Sequence, residues 1–347
     1  MDFRKVNFKI LTIIVGILLV LITGYAYNQL GPYEKSSKKE IVVEVPKGAT
    51  IKDIVQILKN NKLIKNKFLF RILEKVTVNK SQIKAGFYMF NQKDSNFEIL
   101  KILYSGKTYN NYVKVTIPEG LTYKEVIKVL ADKNLGEYKN YEKLINSPKK
   151  FYKEFPFLKE KDIKTLEGFL YPDTYYFIKE SKEKYILEMM LSRFKKIYNY
   201  DFKQKQEKMD LSLQEVINLA SIIEKEAIID KDRPIIASVF YNRLKIDMPL
   251  QSDATIQYIF DKRKKRIAYS DLKIDSKYNS YLNKGLPPTP IANPGVNSIK
   301  AALYPSNTDY LYFVATINGE NNYSKTYEEH IKKVKLYKQE RDKVKNK

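Results

Sequence analysis

A mixed α+β fold behind a single membrane-spanning helix is what this sequence predicts, and three observations predict it. An uncharged apolar run, ILTIIVGILLVLITGYAY, stands near the N-terminus from Ile10 to Tyr27. A strand–turn–helix pattern then occurs twice at a constant offset of 72 residues. Beyond it, helical periodicity alternates with turn-rich segments, and an alternating strand appears near the end.

The apolar run is just long enough to cross a bilayer once. Arg4, Lys5 and Lys9 precede it, so the positive-inside rule keeps residues 1-9 in the cytoplasm and exports the remainder of the chain. A cleaved signal peptide would have a shorter apolar core and a small-x-small site, which is missing here. An uncleaved anchor over 10-30 is therefore expected, joined to a charged linker over 31-40.

The repeat pairs Val43-Glu-Val-Pro46-Lys-Gly48-Ala-Thr50 and its helix to Leu58 with Val115-Thr-Ile-Pro118-Glu-Gly120-Leu-Thr122 and its helix to Leu130. Each copy reads as an alternating strand, a Pro-x-Gly turn, a threonine N-cap and a short amphipathic helix. Two copies are too few for a solenoid. Between them, Ile83 to Phe90 reads as a strand and Ser95 to Leu103 as a helix, with Ser95 and Glu98 forming a capping box. These assignments give a small module over 41-110 and a second β–α unit with its connection over 111-160. The lysine- and tyrosine-rich stretch from Asn134 to Glu160 has poor periodicity and reads as a linker or helical connection.

Residues 161-347 form the largest predicted domain. Glu180 to Tyr198 is helical by periodicity. In LSLQEVINLASIIEKEA, Leu211 to Ala227, Ser212 and Glu215 make another capping box, and Val216, Leu219, Ile222 and Ile223 form an apolar stripe. The stripe runs into Glu226. A carboxylate on an apolar face is costly to ionise, so its pKa rises, as general-acid chemistry requires; a helix end that turns to solvent is the plain alternative. Arg233 to Leu244 is a second helix with Ile236, Phe240 and Leu244 on one face. Ser252 or Asp253 caps the next. Gly285 to Gly295 holds four prolines and is neither helix nor central strand; a long rigid loop of this kind is usually functional. Asn297 or Ser298 caps a further helix, Tyr310 to Ala315 is a buried strand, and a lysine-rich helix starts near Tyr327.

Composition narrows the chemistry. The net charge is +23, which suits a membrane surface or an anionic wall polymer, or reflects a lysine-rich proteome. No nucleic-acid motif accompanies it, so nucleic acid is the weakest partner. The chain has no cysteine and one histidine, His330. Thiol nucleophiles and Cys- or His-cluster metal sites are thereby excluded, and neither metal nor cofactor is expected. An enzyme built on this chain works with carboxylates, hydroxyls, amides and lysines.

Several segments share one resemblance. Glu167-Gly168 with Tyr171-Pro-Asp-Thr-Tyr175, Ala220 to Glu226, Ser238 to Leu244, Gln251-Ser252-Asp253, and Tyr278-Asn-Ser-Tyr281 leading into Gly285-Leu-Pro-Pro288 and Asn293-Pro-Gly295 resemble the YceG-like family of endolytic murein transglycosylases. The first repeat copy with its adjoining strand and helix resembles a LysM-like module, a fold that binds N-acetylglucosamine-containing glycans; a ligand-free structural unit is the alternative. The family resemblance implies cleavage of peptidoglycan strands between N-acetylmuramic acid and N-acetylglucosamine, giving 1,6-anhydromuramic ends and terminating strand elongation beside cell-wall synthases or division proteins. It implies that the second glutamate of the Glu-x-Glu pair, Glu226, is catalytic. One feature departs: the Gly-His-x-Phe segment frequent in the family is Gly319-Glu-Asn-Asn-Tyr-Ser324 here, which leaves His330 as the one histidine.

A lytic transglycosylase can work with one carboxyl group, acting first as acid and then as base, whereas most glycoside hydrolases need two. Glu226 fits the single role. Glu224 is read as its substrate-orienting neighbour, or as half of a salt bridge. Gln251, Asp253, Tyr278, Asn279 and Asn293 are candidate substrate-binding groups; turn chemistry is the stronger reading for Asn293. Tyr281, Tyr175 and Tyr176 are candidates for sugar stacking. A catalytically silent wall-binding scaffold, and a hydrolase with Asp253 or Asp173 as second carboxylate, are the competing functions.

Overall fold

The structure, a computed structural model, describes residues 3–37, 39–77, 83–179 and 181–345. Met1 and Asp2 of the expected cytoplasmic segment, Lys38 of the expected linker and Glu180 at the expected start of a helix lie outside the described residues. The chain divides into two compact units, Met1–Val113 with Tyr176–Lys179, and Lys114–Tyr175 with Glu180–Lys347.

The first unit begins with α1 (Phe3–Leu30), whose stretch Ile13–Leu30 has a mean hydropathy of 1.8 and is not buried by the protein. By length and composition it is able to cross a membrane. After it come β1 (Glu40–Val45), α2 (Ile51–Asn60), α3 (Lys67–Thr77), β2 (Gly86–Asn91) and α4 (Asn96–Tyr104). Strands β1 and β2 pair antiparallel, from Glu40 opposite Asn91 to Val45 opposite Gly86. The alternation of β1 turns Val43 and Val45 inward against Ile54, Leu58, Phe70, Phe90 and Leu100. Helix α3 was not expected, although its apolar residues Phe68, Leu69, Phe70, Ile72, Leu73 and Val76 gather on one side.

The second repeat copy opens the other unit. It comprises β3 (Tyr112–Thr116) and α5 (Tyr123–Asp132), succeeded by α6 (Tyr138–Ile145) and, after two short 3₁₀ turns, β4 (Thr174–Ile178), which pairs with β3. The division between the units falls within both of these strands. Next come α7 (Glu183–Ile197), α8 (Tyr200–Lys208), α9 (Leu213–Glu226), α10 (Arg233–Lys245), α11 (Asp253–Ile259) and α12 (Val296–Leu303). The chain ends in β5 (Tyr312–Ala315), β6 (Asn321–Ser324) and α13 (Tyr327–Lys345). Helix α9 is the centre of this unit, packed against α10, α11 and α12.

The repeat is more complete in three dimensions than in sequence. Thr50 with Asp53 and Thr122 with Glu125 form matching capping boxes. Both helices also end alike. Lys62 and Asn134 adopt φ of 54° and 55°, and Leu63 and Leu135 donate to the carbonyls of Leu58 and Leu130 at 3.0 and 3.1 Å. That is a Schellman ending, with an apolar contact closing it. Asparagine tolerates the left-handed region better than lysine does.

Several expectations are corrected. The stretch 134–160 is no linker: Tyr141, Ile145, Phe151, Phe155 and Leu158 are buried. Its periodicity is weak because one short helix and two 3₁₀ turns share the burial. The strand near Tyr310 is half-buried rather than buried, since it belongs to a two-stranded ribbon with β6. Neither Asn297 nor Ser298 caps α12; Gly295 stands at that position, and the two side chains bond to Asp230 and Arg233 instead. The periodic stretch expected to end at Tyr198 is continued by a separate helix, α8.

Two substitutions in the first unit test the repeat's local energetics with opposite signs. Thr50→Ala removes the cap and lowers stability by about 1 kcal/mol. Lys62→Gly relieves the left-handed lysine and raises stability by roughly 0.5–1 kcal/mol. Urea midpoints of the two variants move apart; movement in the same direction contradicts the assignment.

Candidate active site

Helix α9 is buried further round than an amphipathic helix. Leu213 to Leu219 is buried except at Glu215, and Ala220, Ser221, Ile222 and Ile223 have no exposure. Its polar residues serve the proline loop. The Asn218 amide donates to the Pro287 carbonyl, and Ser221 Oγ accepts from the Ile291 N–H at 3.0 Å. Only the last turn, Glu224 to Glu226, emerges to half-burial. The two glutamates stand two residues apart, so they leave the helix on different sides.

Glu226 is the final residue of α9. Ser252 Oγ donates to its Oε1. Burial pushes its carboxyl above the ordinary range; the Ser252 hydrogen bond and Arg243 oppose the rise, and Asp253 adds to it. The C-terminal end of a helix carries partial negative charge, which favours the neutral acid as well. Ser252 is the residue before α11, but its hydroxyl caps nothing there; it is spent on Glu226.

The loop before α11 is held from several directions. Gln251 is exposed and has a φ of 49°, a strained value for a non-glycine residue. Its N–H donates to the Ser280 carbonyl at 3.0 Å, and the Ser252 N–H donates to Ser280 Oγ at 3.0 Å. The buried Arg243 guanidinium donates to the carbonyls of Leu250 and Leu311, both at 2.6 Å. Asp253 is exposed and accepts from the Tyr281 hydroxyl at 2.7 Å. Burial, and after it Asp253, raise the Tyr281 pKa. Asp253 and Tyr281 therefore lie within electrostatic reach of Glu226, and Gln251 adjoins the Ser252 that bonds it.

The other expected substrate groups are engaged with partners inside the protein. Glu224 accepts from the Gly295 N–H at 2.9 Å and stands 3.3 Å from Arg233 Nη1, in a nearly closed ion pair. The salt-bridge alternative describes it. Asn279 is fully buried and donates to the carbonyls of Leu272 and Ile274 while accepting from the Tyr281 N–H. It shapes the loop and has no face toward solvent. Tyr278 bonds Thr289 at 2.9 Å and lies against Tyr258. Tyr175 is buried with its hydroxyl on the Tyr171 carbonyl, which leaves its ring little open face, and Tyr176 lies beside Phe87 in the first unit. Asp173 is paired with Arg193. His330 lies against the Tyr312 ring, and burial lowers its pKa.

Asn293 leads to a residue whose role sequence reasoning missed. It is fully buried; its amide donates to the Leu121 carbonyl and to Glu167 Oε1, and its Oδ1 accepts from the Leu170 N–H at 2.9 Å. Glu167 is also fully buried. It accepts from the Tyr123 N–H at 2.9 Å and from the Tyr258 hydroxyl at 3.0 Å. Burial pushes its pKa up to about 8, against these donors. Next to it, Gly168 has a φ of +87°, and a Cβ there would meet Ile217 and Pro290 at 2.7 Å. The Glu-Gly pair was readable as a motif. Its structural purpose was not, because the partners are 44 to 126 residues away. Among the described residues, no group of three or more His, Asp or Glu side chains is arranged to hold a metal.

The family model described as the YceG-like family matches residues 43–336. An endolytic murein transglycosylase of Bacillus subtilis is 38% identical over 327 residues, spanning 90% of this chain and 89% of that protein. One from Streptococcus pneumoniae is 33% identical over 340 residues, 90% of this chain and 61% of the longer relative. A crystal structure of a YceG-like protein from Listeria monocytogenes superposes with a TM-score of 0.59 at 38% identity, covering 85% of this chain and 99% of that one.

Glu167 makes stability depend on pH. Its folded pKa, about 8, is above the ordinary 4.5, so its contribution is complete below 4.5 and is lost as pH rises through 8. Thermal unfolding measured from pH 5 to 9 should show stability declining by on the order of a few kcal/mol. Glu167→Gln, which imitates the neutral acid, should flatten that decline; an unchanged slope contradicts it.

Proposed function

The chain belongs to the YceG-like family, and from that premise we propose that it is an endolytic peptidoglycan lytic transglycosylase with Glu226 as its general acid and base. The carrying observation is the placement of Glu226: a half-buried residue at the end of a buried helix, its carboxyl pKa raised by burial, with the exposed Asp253 near it. Glu226 gives its proton to the glycosidic oxygen between N-acetylmuramic acid and N-acetylglucosamine. The bond from that oxygen to the muramic anomeric carbon breaks, through an oxocarbenium-like state. The muramic C6 hydroxyl attacks the same carbon, and the Glu226 carboxylate takes its proton. A 1,6-anhydromuramic end and a free hydroxyl leave, no water is consumed, and the acid is restored. Asp253, Gln251 and Tyr281 are the groups this reading places against the sugar.

Helix α1 fits the anchor of such an enzyme: N-terminus in the cytoplasm, both units outside a bacterial cell membrane, next to nascent wall. The compact strand–helix–helix–strand order of β1, α2, α3 and β2 supports a LysM-like glycan-binding module. Cell-wall synthases or division proteins are the partners that this location implies.

One observation favours a non-catalytic scaffold. Glu226 accepts from Ser252 Oγ and from the Ala254 N–H, and a residue that merely caps α11 would do the same. Product analysis separates the readings. The full-length protein should release anhydro-muropeptides from peptidoglycan, identified by mass. Glu226→Gln should abolish the release, leaving the folded signature and membrane association intact. Reducing muramic ends would indicate a hydrolase using Asp253; no release from the wild type would indicate a scaffold.

The pH profile carries a second test with two signs. Activity requires the neutral acid, so it declines on the alkaline side as Glu226 ionises. Ser252→Ala removes a bond that favours the charged form and should move the alkaline limb to higher pH. Asp253→Asn removes a nearby negative charge and should move it to lower pH. Limbs that stay in place, or both move the same way, contradict the role of Glu226.

A further inference from the structure

Helix α3 carries an apolar row that the core of its unit does not use. Phe68, Ile72 and Val76 recur every four residues and remain 71%, 44% and 79% exposed. Side chains at that spacing stand in line on one helix face. The same helix buries Phe70 and rests Leu73 against the core, so its inward face is already satisfied. Beside the apolar row runs a second one at the same spacing, the exposed cations Lys67, Arg71 and Lys75. An apolar row flanked by cations is the pattern of a helix lying in a lipid–water interface.

The position of α3 in its unit agrees. It packs on α1, and just before it Lys65 Nζ donates to the Asn28 carbonyl of α1 at 3.0 Å. Tyr25 and Tyr27 are exposed on the same part of α1, 59% and 83%. Tyrosines collect where a membrane helix leaves the hydrocarbon. The contact through Lys65 and Asn28 thus brings the start of α3 to the level of the headgroups.

We propose that α3 lies in the outer headgroup layer of the bilayer that α1 crosses. Phe68, Ile72 and Val76 enter the acyl boundary, while Lys67, Arg71 and Lys75 meet anionic headgroups. The proposal rests on the reading of α1 as an uncleaved membrane anchor. It makes the first unit a two-point membrane mount rather than a module hung from one helix. A second copy or a protein partner is a poorer occupant, because neither explains the cations or the tyrosines at the same level.

The chain has no cysteine, so single labels are clean. Full-length Ile72→Cys and Lys47→Cys variants, each carrying an environment-sensitive fluorophore, are reconstituted into phosphatidylethanolamine–phosphatidylglycerol vesicles. Lys47 sits on the exposed turn after β1. The label at 72 should emit at shorter wavelength, be quenched several-fold more by lipids bearing a headgroup nitroxide than the label at 47, and resist aqueous iodide. Equal iodide access at the two sites overturns the proposal, as does shielding at 72 without lipid quenching, which would mean a protein contact. Alkaline extraction of the same vesicles reads the premise separately. A chain that washes off defeats the anchor and this proposal together, whereas a chain that stays while the label at 72 remains in water defeats only the proposal.

Discussion

The buried carboxyl of Glu167 is the tie on which the candidate site depends. Through its two oxygens it collects the Tyr123 N–H at the start of α5, the Tyr258 hydroxyl on α11 and the Asn293 amide in the proline loop. Asn293 adds the Leu121 carbonyl and the Leu170 N–H. Segments far apart in the chain thus meet around one side chain with no solvent exposure. Removing one member of such a network leaves the others buried without partners, which costs more than the lost bond itself. The proline loop is thereby fixed against α9, and α9 carries Glu226.

With that frame in place, the Glu-x-Glu pair divides into two environments. Glu224 and Arg233 close on each other and hold Gly295, so this glutamate fastens the loop to the helix. Glu226 meets Ser252 and a loop strained at Gln251. The same two-residue spacing that makes the pair conspicuous in sequence is what separates the side chains in space. Glu224 has one oxygen beside Arg233 and the other on the Gly295 N–H, whereas Glu226 has a hydroxyl partner and a carboxyl pKa raised by burial.

What the sequence made legible was local. N-caps at Thr50, Ser95, Thr122 and Ser212 are short-range chemistry, and each begins a helix in the structure. The apolar stripe of α9 led directly to Glu226. The rest depends on distant partners. Helices α3 and α6 are amphipathic but short, and α8 is largely polar with one buried residue. Ser252 looked like a cap, yet its hydroxyl turns to a carboxyl 26 residues earlier. Asn279 was a candidate binding amide and Asn293 more a turn residue; both are bonded inside the protein, Asn279 to backbone groups and Asn293 to backbone and Glu167, which no spacing rule reveals. Glu167 was visible only as half of a motif, since a buried acid in a loop leaves no periodic trace.

The central claim is that burial raises the pKa of the Glu226 carboxyl above the ordinary range. Carbon-13 NMR titration of the glutamate carboxyl carbons, compared between the full-length protein and Glu226→Gln, reads that state directly. The account predicts one resonance, missing from the variant, that titrates clearly above the ordinary carboxyl range. A Glu226 resonance that titrates with the exposed glutamates would contradict it.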